Sequence, residues 1–456
     1  MVNFAKLASI RLGYGLSAHL PAPATPDELL AQLHRSKAPT SAIAMDQVRE
    51  VHVRISELAR RAKEGDERAQ KEREEEARRA KKLAERERLR HFARALDDPA
   101  GFGERLVHFW SDHFTVSGGN AYQQLMAVAF VDEAIRPFIS SRFADLMFAA
   151  ETHPRMLTYL DQNNSVGPNS KYAKKQKKRQ KLGLNENFAR EMIELHSLGI
   201  AGGYGQVDVR ELAKLLTGLS YSPRSSEIFR PNRAEPGAET VLGRAYGGQG
   251  PAKLSDVRAV IEDLARHPAT ARHLAYKLAA HFIADDPPGS LVERLARVYE
   301  DSEGDLGALN EELVRAPELL THFRHKVRQP FEYLAASLRG LGVSGEQVMA
   351  LEPKQARSWL FSPMARMGQR WGGPPGPDGW PEVAEKWITA PGLAARIEWA
   401  MKIPRRLCQD LPEPQDLIER ALGDTASESL RLAATRAETR HEAVGIVLAS
   451  ADFNRR

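Results

Sequence analysis

The chain has 456 residues, of which 42% are hydrophobic and 27% charged, with a net charge of +5 and a pI near 9.1. This composition is typical of a soluble protein with an apolar core, and so small a basic excess does not by itself indicate a nucleic-acid partner. The single cysteine, Cys408, excludes an intrachain disulfide and a cysteine-based zinc site, and no run of roughly 20 apolar residues is present to span a membrane.

Residues 1–45 form an N-terminal segment that leads into the helical domain, with a Pro-rich stretch before a helix that starts near Asp27. Residues 46–97 consist almost entirely of Ala, Arg, Glu, Lys and Leu, which are strong helix formers and pair at i, i+4. We interpret 46–97 as a solvated, charged helical arm, with a coiled coil or a partner-docking arm as the alternative. Acidic and basic residues alternate there, which argues against nucleic acid as the partner.

Residues 98–345 are predicted to be the helical core. The apolar helical pattern is interrupted by a turn-rich loop at 160–170 and by the run KYAKKQKKRQK at 171–181, with seven Lys or Arg in eleven positions. Such a run can bind phosphate or nucleic acid, and the simpler interpretation is a solvated insertion. Short strands are predicted at 227–229 and 240–243, as one hairpin.

Residues 346–456 are predicted to add a Trp-rich loop and C-terminal helices to the same domain. Five of the six tryptophans lie between 359 and 399, where Pro and Gly are frequent, so we expect an ordered loop anchored by rings. The predicted fold class is therefore mainly α: a multi-helical globular domain with a long charged helical arm and at most one short β-hairpin.

The motif Asn-Glu-Asn-Phe-Ala-Arg-Glu at 185–191 opens a helix with an unusual carboxylate. At about 100° per residue, Glu191 falls beside the apolar stripe, so it requires a partner from elsewhere or a raised pKa. It is either a catalytic or ligand-binding carboxylate or a buried structural anchor. Arg190 and Glu194 are expected to pair at i, i+4, and Asn187 lies on the same polar edge.

Two further groups are candidates. Trp110 and His113 in RLVHFWSDHF share a helix face, with His108 and Asp112 nearby, either as core residues or as part of a site. Asp161 and Asn164 lie in the turn-rich loop, where either turn chemistry or function explains them. The string E-x-x-E-L-H does not form a one-face metal site, because His196 lies on the far flank of the helix from both glutamates.

Several motifs together resemble the bacterial domain-of-unknown-function family 1800, nearly from end to end: FWSDHF, YLDQNNSVGPNS, GLNENFAREMIELHSLGIAGGYGQVDVRELAKLLTGLSY, TVLGRAY and GWPEVAEKWITAPGLAARIEWA. The resemblance implies that the charged arm and the lysine run are local elaborations. Where the family tends to have a His-Asp-x-Gly-x-Lys-like stretch, this chain has Ala234, Glu235, Gly237 and Glu239. A site that depended on that His and Lys would be absent here.

The resemblance also bears on location and partners. Members of the family often look exported, and their genes often neighbour a sulfatase-like protein with a twin-arginine signal. The present chain shows no signal-peptide pattern, so a cytoplasmic location is the default expectation and export with a twin-arginine partner the alternative.

Three functions remain open at this stage. The leading interpretation is a binding or assembly protein that docks a partner, such as the sulfatase-like neighbour, on 46–97. The second is a hydrolase with a glycan as candidate ligand. Its catalytic residues would be drawn from Glu191, Glu194, Asp161 and His113, and its binding residues from Trp110, Asn164, Asn187 and Arg190. The third is a metal-dependent enzyme that uses His113 and Glu191. Whether the protein is an enzyme, and with which cofactor, is not predicted.

Overall fold

The computed structural model describes residues 3–39, 43–176 and 183–456. Over these residues the protein is mainly α-helical and its sheet is a single two-stranded hairpin, so the predicted fold class is confirmed. Of the lysine-rich run, 171–176 is helical, whereas 177–181 lies outside the described residues. Among the described helices, none combines the length and apolar character that crossing a bilayer requires.

The helices are mostly short, and several begin with a side-chain cap or a proline, as at Thr25–Pro26 and His267–Pro268. The first part of the chain contains α1 (Phe4–Leu7), α2 (Pro26–Ala31), α3 (Leu33–Ser36), α4 (Met45–Lys63), α5 (Glu67–Asp97), α6 (Phe102–His113), α7 (Ala121–Phe130), α8 (Phe143–Thr152), α9 (Pro154–Tyr159), α10 (Lys171–Gln176), α11 (Glu186–Glu194) and α12 (Gln206–Leu215).

The strands and the remaining helices follow. They are β1 (Pro236–Val241), β2 (Arg244–Pro251), α13 (Leu254–Arg266), α14 (Pro268–Phe282), α15 (Gly289–Asp301), α16 (Leu306–Arg315), α17 (Glu318–Thr321), α18 (Pro330–Leu341), α19 (Gly345–Met349), α20 (Pro353–Ala356), α21 (Ser362–Arg366), α22 (Ala390–Lys402), α23 (Pro404–Leu407), α24 (Pro414–Ala421), α25 (Glu428–Thr435), α26 (Arg440–Ala449) and α27 (Ala451–Asn454). Short π-helical turns are found at Ala8–Leu12, Val131–Ile135 and Arg357–Phe361.

The single hairpin pairs β1 with β2 in antiparallel register. Its turn residues Leu242 and Gly243 both have positive φ, at 49° and 78°, as a two-residue hairpin turn of this hand requires. The predicted strand at 240–243 thus contributes to β1 and the turn. The predicted strand at 227–229 is wrong: Phe229 makes only an isolated bridge to Leu219, because β1 instead pairs with the residues that follow the turn.

The charged segment 46–97 folds back on itself as a pair of antiparallel helices. Asp66 caps α5 by accepting a hydrogen bond from the Ala69 amide (2.9 Å), directly after the turn that ends α4. The outer face carries exposed ion pairs, such as Arg60 with Glu57 (2.6 Å) and Glu64 (2.7 Å). The inner face is buried through small and apolar residues: Ala69, Ala80, Ala84, Leu89, Phe92, Ala93, Ala95 and Leu96. Alanine permits close approach, so α5 packs on α4, α7 and α19 although its sequence is mostly charged.

Buried apolar side chains form two clusters. The first draws on the helices from α1 to α17 and contains Trp110, Phe143 and Phe188. The second draws on Tyr14, the C-terminal end of α5 and the helices from α18 to α27. Helix α18 is buried along its whole length, so even its polar residues must find partners inside the protein.

One such residue, Glu332, joins the two clusters through a buried ionic network. Its carboxylate lies 3.1 Å from Arg105 Nη2 on α6 and accepts a hydrogen bond from Arg456 Nε (2.9 Å). Arg456 also donates to the carbonyl of His281 on α14 (3.0 Å), and Arg11 donates to the carbonyl of Arg456. Burial would raise the pKa of Glu332, but Arg105 and Arg456 hold that pKa well below its usual range.

Substituting Glu332→Gln is expected to lower the free energy of unfolding by about 3–5 kcal/mol, because two buried guanidinium groups then lose their counterion. Chemical denaturation at pH 7 measures the change. Glu57→Gln, which removes a carboxylate from an exposed ion pair, is the matched control and should have little effect. Equal effects of the two substitutions would contradict the role given to Glu332.

Candidate functional site

Two adjoining cavities lie where the apolar clusters meet, and together they are called the cleft below. The larger has a volume of 210 Å³ and is lined by α5, α6, α7 and the segment 364–380. The smaller has a volume of 140 Å³ and is lined by α6, α14 and the segment 378–383. Three residues line both cavities, namely His108, Asp112 and Trp380. Chemistry in either cavity would therefore take place next to Asp112.

Helix α6 presents a polar face to the cleft. Arg105, His108 and Asp112 are spaced at i, i+3 and i+7, so they share one side of the helix. The other side, which includes Leu106 and Trp110, belongs to the first apolar cluster. Arg105 is tied into the Glu332 network, which sets the rotation of the helix and directs His108 and Asp112 into the cleft.

The Asp112 carboxylate is held against the Trp-rich loop. Both of its oxygens lie 3.0 Å from the backbone nitrogen of Trp380, which donates to them. The preceding residue, Gly379, has φ of 86°, and a Cβ there would lie 2.6 Å from Asp112 Oδ2. Only glycine therefore permits this approach. Burial raises the pKa of Asp112 to about 7; the Trp380 amide and Lys277 oppose the rise, whereas Glu382 and Asp378 add to it.

Helix α14 contributes a second polar face, formed by Lys277 and His281 at i, i+4. Lys277 is half-buried in the smaller cavity, and its amine has no ion pair within 4 Å among the described residues. Burial lowers the pKa of Lys277, and the more distant charges of Asp112 and Glu382 oppose that effect. A larger fraction of neutral amine than in an ordinary lysine is the result.

Glu382, in the same smaller cavity, is held in the ionised form. His281 Nδ1 donates to its Oε1 (2.6 Å) and Lys326 Nζ lies 3.3 Å from its Oε2. His281 Nε2 accepts from Arg105 Nε (3.3 Å), which assigns the ring proton to Nδ1. Burial would raise the pKa of Glu382, but His281 and Lys326 hold it well below its usual range.

The cleft thus contains two carboxyl groups with opposed titration behaviour. Near neutral pH, Asp112 is partly protonated and Glu382 is ionised, because the first is mainly desolvated, whereas the second is paired with Lys326 and accepts a hydrogen bond from His281. Carboxyl groups whose pKa values are driven apart in one pocket are suited to act as proton donor and proton acceptor. The arrangement can therefore support acid–base chemistry.

Of the residues predicted from the sequence, Trp110 and His113 are brought together. Their rings meet edge to face with centroids 5.4 Å apart, and each is 1% exposed. His113 lines the smaller cavity and its Nε2 donates to the carbonyl of His196 (3.2 Å). Burial lowers the pKa of His113 well below its usual value. His113 is thus a neutral residue in the wall behind Asp112, and Trp110 supports it from the core.

Glu191 and Glu194 lie outside both cavities and are half-buried. The pKa of Glu191 is raised, first by burial and then by the charges of Glu194 and Asp378, while His196 opposes the rise. The expected ion pair between Arg190 and Glu194 does not form. Arg190 instead donates a hydrogen bond to Gln206 Oε1 (2.9 Å), and Glu194 accepts one from the Tyr204 hydroxyl. Glu191 is thus half-buried with a raised pKa, which is the second of the two alternatives expected from its place on the helix, and its catalytic role stays a prediction.

The remaining predicted residues, Asp161, Asn164 and Asn187, are exposed and line neither cavity. Asp161 has a positive φ of 56° at a turn, which supports its interpretation as turn chemistry. In the part of the chain that the structure describes, no group of three or more His, Cys, Asp or Glu side chains is arranged to hold a metal ion. The described residues therefore provide no identifiable set of metal ligands for the metal-dependent alternative.

Sequence reasoning missed Lys277, His281 and Glu382 as site residues. Lys277 and His281 look like isolated polar residues in a helix that is otherwise mostly apolar, and Glu382 lies in a loop. The spacing of polar residues was the signal that could have found them. Such residues recur at i, i+4 on α14 and at i, i+3 and i+7 on α6, so each helix has a polar face, and both faces lie at the boundary between the two apolar clusters. Spacing alone could not show that the two faces meet.

Comparison with known proteins is consistent with the motifs. A family model described as a protein of unknown function, DUF1800, matches residues 8–455. No curated protein and no solved structure matches the chain. The resemblance drawn from the sequence motifs is thereby confirmed.

Replacing Gly379 by alanine should destabilise the protein and disturb Asp112, because the new methyl group would clash with the Asp112 carboxylate. Gly372→Ala is the matched control: it has φ of 58° in the same loop, but nothing lies within 4 Å of its Cβ position. Both variants should show a backbone cost of about 1–2 kcal/mol. In thermal denaturation, Gly379→Ala should have a clearly lower melting temperature than Gly372→Ala. Equal melting temperatures would contradict the predicted clash with Asp112.

The raised pKa of Asp112 predicts a pH dependence of stability. Folding favours the protonated carboxyl, so its contribution is fully present below the ordinary pKa of 3.8 and is lost as pH rises to about 7. The free energy of unfolding of the wild type, relative to Asp112→Asn, should therefore fall between pH 4 and pH 7. Urea titrations across this range measure the difference. Asp161→Asn, at an exposed position outside both cavities, serves as the control. Parallel profiles of unfolding free energy against pH for wild type and Asp112→Asn would contradict the assignment.

Proposed function

The chain belongs to the DUF1800 family of proteins of unknown function, and we propose that it is a hydrolase acting on a glycan, with Asp112 as general acid and Glu382 as general base. The observation that carries the proposal is the presence, in one cavity, of a carboxyl group with a pKa of about 7 and a second one held ionised. Most glycosidases use such a pair of carboxyl groups to hydrolyse the glycosidic bond.

The proposed reaction assigns a role to each group. Asp112 donates its proton to the leaving oxygen as the glycosidic bond breaks. Glu382 takes a proton from the attacking water as the new carbon–oxygen bond forms, and His281 and Lys326 orient it for this purpose. Lys277 lines the same cavity and donates a hydrogen bond to a ligand hydroxyl. Proton exchange with solvent then restores the starting forms of both carboxyl groups.

The larger cavity supports the choice of a glycan as ligand. Its wall includes Trp371, Trp380 and Phe331, and the Trp371 ring meets that of His91 edge to face with centroids 5.2 Å apart. Aromatic rings combined with a few polar groups are typical of small-molecule pockets, and the apolar faces of sugar rings pack well on them. A ligand on these rings would extend to Asp112 at the junction of the two cavities.

The role of 46–97 as a partner-docking arm stays a prediction. The exposed ion pairs of its outer face favour a charged partner, whereas its inner face is already occupied by the fold. Helix α5 also supplies wall residues of the larger cavity, among them Arg88 and His91. A deletion within this segment would therefore alter the cleft as well as any docking surface, and exposed charge reversals are the cleaner test of a partner.

The hydrolase proposal is tested with a panel of aryl glycosides of both anomeric configurations and with the release of the aryl group as readout. At least one should be hydrolysed by the wild type, and Asp112→Asn should lower kcat by about 10²–10⁴-fold because proton donation is lost. Glu382→Gln should have an effect of the same order. The rate should also fall above about pH 7 as Asp112 ionises.

Glu191→Gln in the same assay separates the two candidate sites. We expect its activity to match that of the wild type, since Glu191 lines neither cavity. If Glu191→Gln loses activity while Asp112→Asn remains fully active, the active site would have to be assigned to helix α11, which carries Glu191, and not to the cleft. Failure of the wild type to hydrolyse any member of the panel would contradict the glycan assignment.

A further inference from the structure

Two arginines line the larger cavity without an acidic partner. In the described part of the chain, neither Arg88 on α5 nor Arg370 in the loop after α21 has a carboxylate within 4 Å. Arg88 is half-buried and donates to Gln124 Oε1, and Arg370 is exposed. By contrast, Arg90 in the same cavity lies 3.0 Å from Glu87 Oε2. Arg88 and Arg370 thus form a positively charged region next to the aromatic wall.

Two of the three Asp and Glu side chains that line this cavity are paired with other arginines. Glu87 pairs with Arg90, and Asp132 accepts from Arg136 Nε (3.0 Å). Burial lowers the pKa of Arg88; Glu85 opposes this from beyond ion-pair distance, and the like charge of Arg370 adds to it. Two like charges that line one cavity repel each other, and an anion bound against them would offset this repulsion.

The surrounding structure keeps the two arginines in place. Gln124 on α7 holds the Arg88 side chain from the opposite wall. The loop that carries Arg370 is tied down by a hydrogen bond from the Gly118 amide to the Gly372 carbonyl (2.9 Å). Trp371, between Arg370 and Gly372, packs its ring on His91, one turn along α5 from Arg88. Both charges therefore flank the same aromatic surface.

We propose that Arg88 and Arg370 bind an oxyanion group of the ligand, so that the substrate is an acidic glycan that carries a carboxylate, sulfate or phosphate. The planar guanidinium group matches the geometry of these groups and binds them through paired hydrogen bonds. The inference rests on the proposed hydrolase function for the identity of the ligand as a glycan. The anionic group would lie at the α5 end of the larger cavity, its sugar ring on Trp371, and the bond to be broken near Asp112.

Isothermal titration calorimetry on the full chain tests the subsite. The probes are sodium glucuronate, sodium sulfate and sodium phosphate at constant ionic strength, with glucose as the uncharged comparison. At least one anion should bind the wild type more tightly than glucose does, and the probe that saturates identifies the oxyanion. Arg88→Gln combined with Arg370→Gln should weaken that binding about tenfold or more, the loss expected for charge-assisted hydrogen bonds. Arg88→Lys, which keeps the charge, should retain part of the affinity.

Arg357→Gln is the matched control, because Arg357 is exposed in the π-helical turn before α21 and does not line the cavity. Equal affinity in the double variant and the wild type, or no preference for any anion over glucose, would overturn the inference. If the double variant loses anion binding while Asp112→Asn remains fully active in the glycoside assay, the subsite stands and the hydrolase assignment fails.

Discussion

A buried carboxylate, Glu332, is the constraint on which the positions of the cleft residues depend. It lies on a helix that is buried along its length, and its charge is neutralised by Arg105 from α6 and Arg456 from the C-terminal end of the chain. Since an unpaired ion at such a site would cost several kcal/mol, the helices that supply the partners have little freedom to rotate or slide. Helix α14 is joined to the same network through the His281 carbonyl and ring.

The network and the cleft share their helices, which explains why a structural motif and a site occur together. On α6, Arg105 enters the network while Asp112, two turns further on, enters the cleft. On α14, His281 contacts the network through Arg105 and the cleft through Glu382. Polar groups of this kind cannot lie in either apolar cluster without partners. The boundary between the two clusters is where they can be paired with one another and still leave a cavity.

Charge along the chain has two distinct uses here. In the hairpin of α4 and α5, alternating charges on the outer face keep the surface solvated, while alanines on the inner face allow close packing. The same helix brings Arg88 into the larger cavity, opposite the Trp-rich loop. Segment 46–97, which the sequence predicts to be a solvated arm, thus also forms a wall of the cleft. Two tryptophans of the Trp-rich loop likewise line the cleft and hold its walls together. The Trp371 ring contacts α5, and the Trp380 backbone amide donates a hydrogen bond to Asp112.

The sequence by itself determined the mainly α fold class, the family, the helical nature of 46–97 and the pairing of Trp110 with His113, because each depends on local spacing or on extended motifs. It indicated one hairpin but assigned the wrong residues, 227–229, to the first strand. It also indicated that Glu191 would point into the packed side of its helix, since the position of a residue on a helix follows from the period of 3.6; the structure shows this side chain half-buried. Only the tertiary structure decided that Asp112 and Glu382, 270 positions apart in the chain, line one cavity and titrate in opposite directions. The physical reason is that a pKa depends on desolvation and on charges brought close by packing, and neither can be read from the residues adjacent in sequence.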